Sequence, residues 1–249
     1  MTIRPLAPDT IRVRWLPVGA DSARHMARWR SMLDAEELAR ADRFMFDPDR
    51  EIFTAAHALA RTVLSEVTGR PTSWWRYAKG PSGKPHLAVG EDLDKLRFNI
   101  SHTSGMVCCA VAWHEIGIDV EASDRRVDLA IADRFFAPEE VALLRAAVPA
   151  HQVTLFFRFW TLKEAFIKTT GEGLGRPLDS FSFAFDPLHV RFHPDRDEQR
   201  RDDDPALWRF WELTAGHRRP VALAVRTRFP ARIVVDAQET VPDAVTPRS

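Results

Sequence analysis

Apolar and polar positions alternate along this chain in short stretches and recur at helical spacing in longer ones. Ile11-Arg12-Val13-Arg14-Trp15-Leu16 alternates as a half-buried strand does. From about Ser22, the apolar positions Met26, Trp29 and Leu33 fall three and four residues apart and predict a helix. Asp34, with Glu37 three residues on, reads as a capping box that opens the next helix. Asp47-Pro48-Asp49 is either a turn or the start of a longer helix running to Val67 and stopping at Gly69-Arg70-Pro71. A loop rich in breakers, Lys79-Gly80-Pro81-Ser82-Gly83-Lys84-Pro85, precedes strands at 96–100 and 107–113.

The second half replays the first. Leu33-Asp34-Ala35-Glu36-Glu37-Leu38 is echoed by Phe136-Ala137-Pro138-Glu139-Glu140-Val141 at an offset of 103, and the helix ending at Gly69 by one ending at Gly171, an offset of 102. Arg97-Phe98 and the strand after it are echoed by Arg209-Phe210 and a strand at 221–227. Such near-constant offsets predict a duplicated unit of helices followed by a strand pair. The expected fold class is therefore α+β: two similar subdomains about a pseudo-two-fold axis, each a small antiparallel sheet packed with helices. The expected boundaries are 1–114, 115–235 and a flexible tail over 236–249, with His114-Glu115 as the crossing. Residues 193–205, dense in Asp and Arg, read as a solvated loop.

One strand and one helix carry the candidate chemistry. In Gly117-Ile118-Asp119-Val120-Glu121, alternation puts Asp119 and Glu121 on one face and Ile118 and Val120 on the other. In the helix over 155–170, Leu155, Phe159, Leu162 and Phe166 form an apolar stripe, while Trp160, Glu164 and Lys168 form a second row at i, i+4 and i+8. If that row faces the strand, three carboxylates converge with a lysine beside them. Oxygen donors without a Cys/His cluster suit a hard cation, Mg²⁺ before Zn²⁺, with Mn²⁺ an alternative. Taken singly, an Asp-x-Glu pair is ordinarily a solvated face, and a Glu-to-Lys pair one turn apart is ordinarily helix support.

Composition narrows the classes. Lys+Arg and Asp+Glu each number 35 among 249 residues, and the halves show no charge asymmetry, which argues against gripping nucleic acid by bulk charge. No apolar run is long enough for a membrane span and no secretory segment follows Met1, so the expected setting is cytoplasmic, with no membrane partner. Cys108 and Cys109 are adjacent in an apolar strand and read as buried thiols. A duplicated chain whose two halves pair internally is expected to be a monomer.

Phe98-Asn99-Ile100-Ser101-His102-Thr103-Ser104-Gly105, then Gly117-Ile118-Asp119-Val120-Glu121, then Trp160-Thr161-Leu162-Lys163-Glu164-Ala165-Phe166-Ile167-Lys168 with Gly171-Glu172-Gly173-Leu174, resemble the Sfp-type 4′-phosphopantetheinyl transferases in order and spacing. The resemblance implies transfer of the 4′-phosphopantetheine arm of coenzyme A to a serine of an apo acyl or peptidyl carrier protein, releasing adenosine 3′,5′-bisphosphate. It implies Asp119, Glu121 and Glu164 as ligands of Mg²⁺, Glu164 also as the group taking the serine proton, and Lys168 beside the pyrophosphate. It implies contacts to coenzyme A from Lys84, Ser101 and His102, and from Arg43 and Arg61 on first-half helices, with Arg40 the weaker match. Glu140 matches a further family acid, and Lys163 reads as outward-facing or structural. Ile52 and Phe53 stand where some members carry polar residues, and Ala56-His57 where a Gly-containing pair is common, so the adenine contacts depart from the family's pattern. Two other readings use the same acids differently. A metal-dependent hydrolase would cleave coenzyme A pyrophosphate with water, and a carrier-binding module would dock without turnover.

Overall fold

The computed structural model describes residues 3–80, 83–88, 90–197, 203–216 and 218–243. Its chain forms two compact units, one of residues up to His114 together with those from Ile233 onward, the other Glu115–Arg232.

The first unit is a four-stranded sheet covered by one long helix. β1 (Thr10–Pro17) pairs antiparallel with β5 (Met106–Ala112), and β5 with β4 (Arg97–Thr103). Gly105, at φ 77°, makes the tight turn between β4 and β5 in the left-handed region that side chains avoid. Helices α1 (Ala23–Arg30) and α2 (Ala35–Ala41) lead into α3 (Asp47–Thr68). The capping box of α2 forms as expected: Asp34 Oδ1 accepts from Glu37 N, and Glu37 Oε2 accepts from Asp34 N, both at 2.9 Å. Asp47-Pro48-Asp49 proves to be the first turn of α3, where proline's missing N–H costs nothing. A hairpin of β2 (Tyr77–Lys79) and β3 (Pro85–Leu87) follows α3. Leu59, Val63 and Leu64 of α3 are fully buried with Trp29, Trp75 and Val111 in this unit's core.

Two expectations are corrected here. β1 is covered on both faces, because Arg12 and Arg14 are buried as well as Ile11 and Val13. Their guanidinium groups meet Glu66 of α3 and Asp236, with Arg14 Nη2 to Glu66 Oε1 at 3.0 Å and Arg12 Nε to Asp236 Oδ2 at 3.0 Å. Asp236 belongs to β11 (Val234–Glu239), a strand pairing parallel with β1, so the segment read as the end of the second subdomain and the start of a tail instead closes the first unit's sheet. Its local pattern is too short to announce a strand whose partner lies over two hundred residues earlier. Residues 244–249 of the expected tail lie outside the described residues, as do 198–202 of the expected loop.

The second unit is built from β6 (Glu115–Val120), β9 (Trp208–Ala215) and β10 (Arg219–Arg226), antiparallel in the order β6-β10-β9. Short helices α4 (Ile131–Phe135) and α5 (Pro138–Ala146) precede α6 (Pro149–Thr170), and β7 (Phe181–Phe185) and β8 (Leu188–Phe192) form a hairpin. α6 begins six residues before the apolar stripe, because Pro149 sets the first turn of a stretch with little apolar content. α3 and α6 are both 22 residues long and both end at a left-handed glycine, Gly69 at φ 76° and Gly171 at φ 74°. Phe157, Phe159, Leu162 and Phe166 are fully buried, against Phe181 and Phe210 among others.

Candidate functional site

α6 lies hard against β6, and a glycine makes that possible. A Cβ on Gly117 would fall 2.1 Å from Ala165 O and 2.6 Å from Thr169 N, so no other residue fits without moving the helix. α6 is buried nearly all round, yet Trp160, Glu164 and Lys168 remain half-buried in one row. Lys168 Nζ reaches off its own helix to Asp119 Oδ1 at 2.6 Å. Asp119 is buried on β6, and its neighbours Ile118 and Val120 are buried with it. Glu121, one residue past the strand, is held by its N–H to Pro220 O at 3.2 Å, and its carboxylate meets the exposed Arg125 at 3.0 Å.

The acids crowd one another. Burial, and then the charge of Asp119, push the Glu121 carboxyl above the usual carboxylate range, against the pull of Arg125 and Lys168. Glu164 is pushed up in the same way by burial and then by Asp119, with Lys168 opposing and Glu121 adding. The structure thus brings Asp119, Glu121, Glu164 and Lys168 into one electrostatic neighbourhood. The donors are all hard oxygens and their charges repel, which is the chemistry a hard cation answers. Among the described residues, however, no three acid, His or Cys side chains are gathered into a ready-made cage.

Lys163 and Glu140 have another role. Both are fully buried and paired at 2.8 Å, and Lys163 Nζ also donates to Leu178 O and Phe181 O, each at 2.7 Å. Glu140 accepts from Ala137 N at 3.0 Å and Phe183 N at 2.9 Å, capping α5 and tying it to β7. Burial pulls Lys163 below and pushes Glu140 above their usual ranges. Of the two readings of Lys163, the structural one holds. Glu140 is closed off as a structural cap and is not a further acid of the site.

In the first unit, a cavity of about 510 Å³ is lined by Phe53, His57, Tyr77, Phe98 and Ile100, with Arg40, Lys79 and His102 among its polar groups. Gly83 and Pro85 line it on either side of Lys84. His102 lines the cavity with Ile100, two residues before it; Ser101 lies on the other face of β4 and is buried there. Arg61 is not available to a ligand. It is fully buried and each N–H is taken: Nε by Glu37 Oε2 at 2.9 Å, Nη1 by Thr72 O and Trp75 O at 2.9 and 3.2 Å, and Nη2 by Asp34 at 2.8 Å and Glu37 at 2.6 Å. Arg43 is exposed and outside the cavity lining, whereas Arg40, the weaker match in sequence, lies in it, its guanidinium 5.2 Å from the Phe53 ring centroid. Helical spacing held the missed signal, since Phe53, His57 and Arg61 stand at i, i+4 and i+8 on α3.

Comparison with known proteins gives the family. Residues 115–225 match the model of the 4′-phosphopantetheinyl transferase superfamily, and residues 14–114 that of the N-terminal part of 4′-phosphopantetheinyl transferases. The chain is 33% identical over 215 residues to the 4′-phosphopantetheinyl transferase Sfp of Bacillus subtilis, covering 85% of this chain and 91% of that protein. It is 38% identical over 157 residues to the 4′-phosphopantetheinyl transferase HetI of a Nostoc species, covering 62% of this chain and 66% of that one. With a Xenopus laevis protein named L-aminoadipate-semialdehyde dehydrogenase-phosphopantetheinyl transferase it shares 28% identity over 202 residues, 76% of this chain and 67% of that one. The chain belongs to the 4′-phosphopantetheinyl transferase superfamily. No helix among the described residues is long and apolar enough to cross a membrane.

Proposed function

We propose that this chain transfers the 4′-phosphopantetheine arm of coenzyme A to a serine hydroxyl of an apo acyl or peptidyl carrier protein, releasing adenosine 3′,5′-bisphosphate. The observation that carries the reading is Lys168 on Asp119, with the carboxyls of Glu121 and Glu164 pushed up beside them. In the reaction a hydroxyl displaces one phosphorus of a pyrophosphate that is already anionic, so positioning and charge neutralisation do most of the catalysis. Asp119, Glu121 and Glu164 would hold a Mg²⁺, or Mn²⁺, which when bound supplies positive charge to the pyrophosphate oxygens. Glu164, whose proton affinity burial and Asp119 raise, takes the serine proton as the new bond to phosphorus forms. Lys168 holds the pyrophosphate as a compact point charge. The cavity of the first unit takes the nucleotide end of coenzyme A through His102 and the Gly83-Lys84-Pro85 turn.

We place this reaction in the cytoplasm, carried out by a monomer; the buried thiols of Cys108 and Cys109 suit that compartment. Intact-mass spectrometry of apo carrier proteins incubated with coenzyme A, Mg²⁺ and the chain tests the reading. A gain of one phosphopantetheine on a carrier, lost on chelation, is the expected result. Cleaved coenzyme A in solution with every carrier unmodified would favour the hydrolase instead.

A further inference from the structure

We infer that Arg125 is a positioning residue, holding the Glu121 carboxylate in place for the divalent cation that Asp119, Glu121 and Glu164 would share. The inference rests on the proposed metal site. Glu121 needs such a partner because β6 stops short of it. Pairing with β10 ends at Val120 opposite Val221, and the sheet's last hold on Glu121 is its N–H on Pro220 O at 3.2 Å. Its side chain, 14% exposed, therefore projects from the first residue past the strand.

A short turn brings Arg125 back to that carboxylate. The N–H of Arg125 donates to Ala122 O at 3.3 Å, and its Nη2 meets Glu121 Oε2 at 3.0 Å. The four-residue spacing here is that of a turn, so the pair is not a helix-supporting one. The same guanidinium lies 5.3 Å from the ring centroid of Phe157, a fully buried residue of α6. Beside it, Asp124 meets Arg219 at 2.6 Å, which pins the turn to β10.

Arg125 thus links Glu121 to the helix that carries Glu164 and Lys168. Lys168 does the same for Asp119, reaching its Oδ1 at 2.6 Å, so each strand acid is joined to α6 by one cation. A guanidinium suits the longer link, because it can lie flat on a ring and still donate in its own plane. A carboxylate has several acceptor sites on its two oxygens, so Glu121 can accept from Arg125 on Oε2 and still ligate a cation. Groups that orient a metal ligand in this way typically decide affinity by ~10–100-fold. The rival reading has the opposite sign. A counter-charge that merely competes with the cation for Glu121 would, once removed, let the metal bind more tightly.

The test is isothermal titration of the full chain with Mg²⁺, coenzyme A present, for the wild type, Arg125→Ala and Asp119→Ala; it needs no carrier protein. Arg125→Ala should bind Mg²⁺ ~10-fold more weakly. Its Tm should stay within ~2 °C of the wild type, because the pair it loses is open to solvent on the arginine side. Transfer lost at low Mg²⁺ should return at saturating Mg²⁺, a shift in the metal requirement with kcat kept. Unchanged or tighter Mg²⁺ binding in Arg125→Ala, or a loss of kcat that saturating Mg²⁺ does not restore, would overturn the inference and leave the proposed metal site standing. A wild type that binds no Mg²⁺, or an Asp119→Ala variant that binds it as the wild type does, would overturn the metal site, and the inference with it.

Discussion

In the first unit Arg61 rises from a 22-residue helix to meet Glu37, the capping-box acid of the preceding helix, and two carbonyls, those of Thr72 and Trp75. In the second unit Lys163 rises from a 22-residue helix to meet Glu140, again a capping-box acid, and the carbonyls of Leu178 and Phe181. The two cations stand 102 residues apart, like the glycines that end the two helices. This shared frame locks a short helix, a long helix and the chain after it together, and its buried charges are satisfied on every side. One turn toward each helix C-terminus the units part company. There the first unit has Glu66 beneath two strand arginines, and the second has Lys168 on a strand aspartate. Glu66 and Asp236 balance Arg12 and Arg14 charge for charge. Asp119 is met by Lys168 and Glu121 by the exposed Arg125, while burial and Asp119 push the Glu121 and Glu164 carboxyls above their usual range. The lesson is that the network whose charges pair off is architecture and the one whose acids crowd one another is where chemistry has room.

The largest effect expected from breaking this comparison is on turnover. Asp119→Ala or Glu121→Ala should lower transfer by ~100-fold or more, the scale of one lost preorganised electrostatic contact, while the far-ultraviolet circular dichroism stays that of the wild type. Full activity in both variants would remove these acids from the site.

Next come the matched buried cations. Arg61→Ala and Lys163→Ala each strand a buried carboxylate, at a cost of ~3–5 kcal/mol. Chemical denaturation should show both losses, with similar midpoint shifts because the two frames are equivalent. A variant at either position that keeps wild-type stability yet loses coenzyme A binding would return that cation to the ligand site.

The smallest effect is a dependence on pH. The folded Glu164 carboxyl holds its proton more tightly than the unfolded one, so its ionisation opposes folding, and stability falls as pH rises through its raised range. Glu164→Gln removes that loss. In chelator-treated buffer the variant's Tm should therefore gain on the wild type as pH climbs out of the usual carboxylate range toward neutrality, and Mg²⁺ should narrow the gap by favouring the ionised acids. A constant gap across pH would mean that the carboxyl is not raised.

Much of this was legible in the chain. The strand face of Asp119, the row of Glu164 and Lys168, the capping box of Asp34 and Glu37, and the echo of one half in the other all follow from local spacing. What spacing does not carry is which of several buried cations has protein partners enough. Arg61 matched a phosphate contact, yet the carbonyls that saturate it come from 11 and 14 residues on, in a segment with no regular pattern. Its counterpart Lys163 was open between two readings for the same reason. Arg40 and His57 looked ordinary because the cavity they line exists only after α2, α3 and the β2–β3 hairpin have packed. β11 was missed because a parallel edge strand takes its place from β1, more than two hundred residues away, where Arg12 and Arg14 also reach Asp236.

The central claim, that the row on α6 is catalytic and not merely helix support, is tested most directly by exchanging its charges. In Glu164→Lys with Lys168→Glu, a pair serving only its own helix would keep its attraction and cost at most ~0.5 kcal/mol. Under the proposed function the exchange puts a cation among groups that would hold a divalent metal, and an anion against Asp119 and the place proposed for the pyrophosphate. The rate of phosphopantetheine gain on an apo carrier protein, followed by intact mass, should then fall by at least ~100-fold. A rate within a few-fold of the wild type would contradict the account.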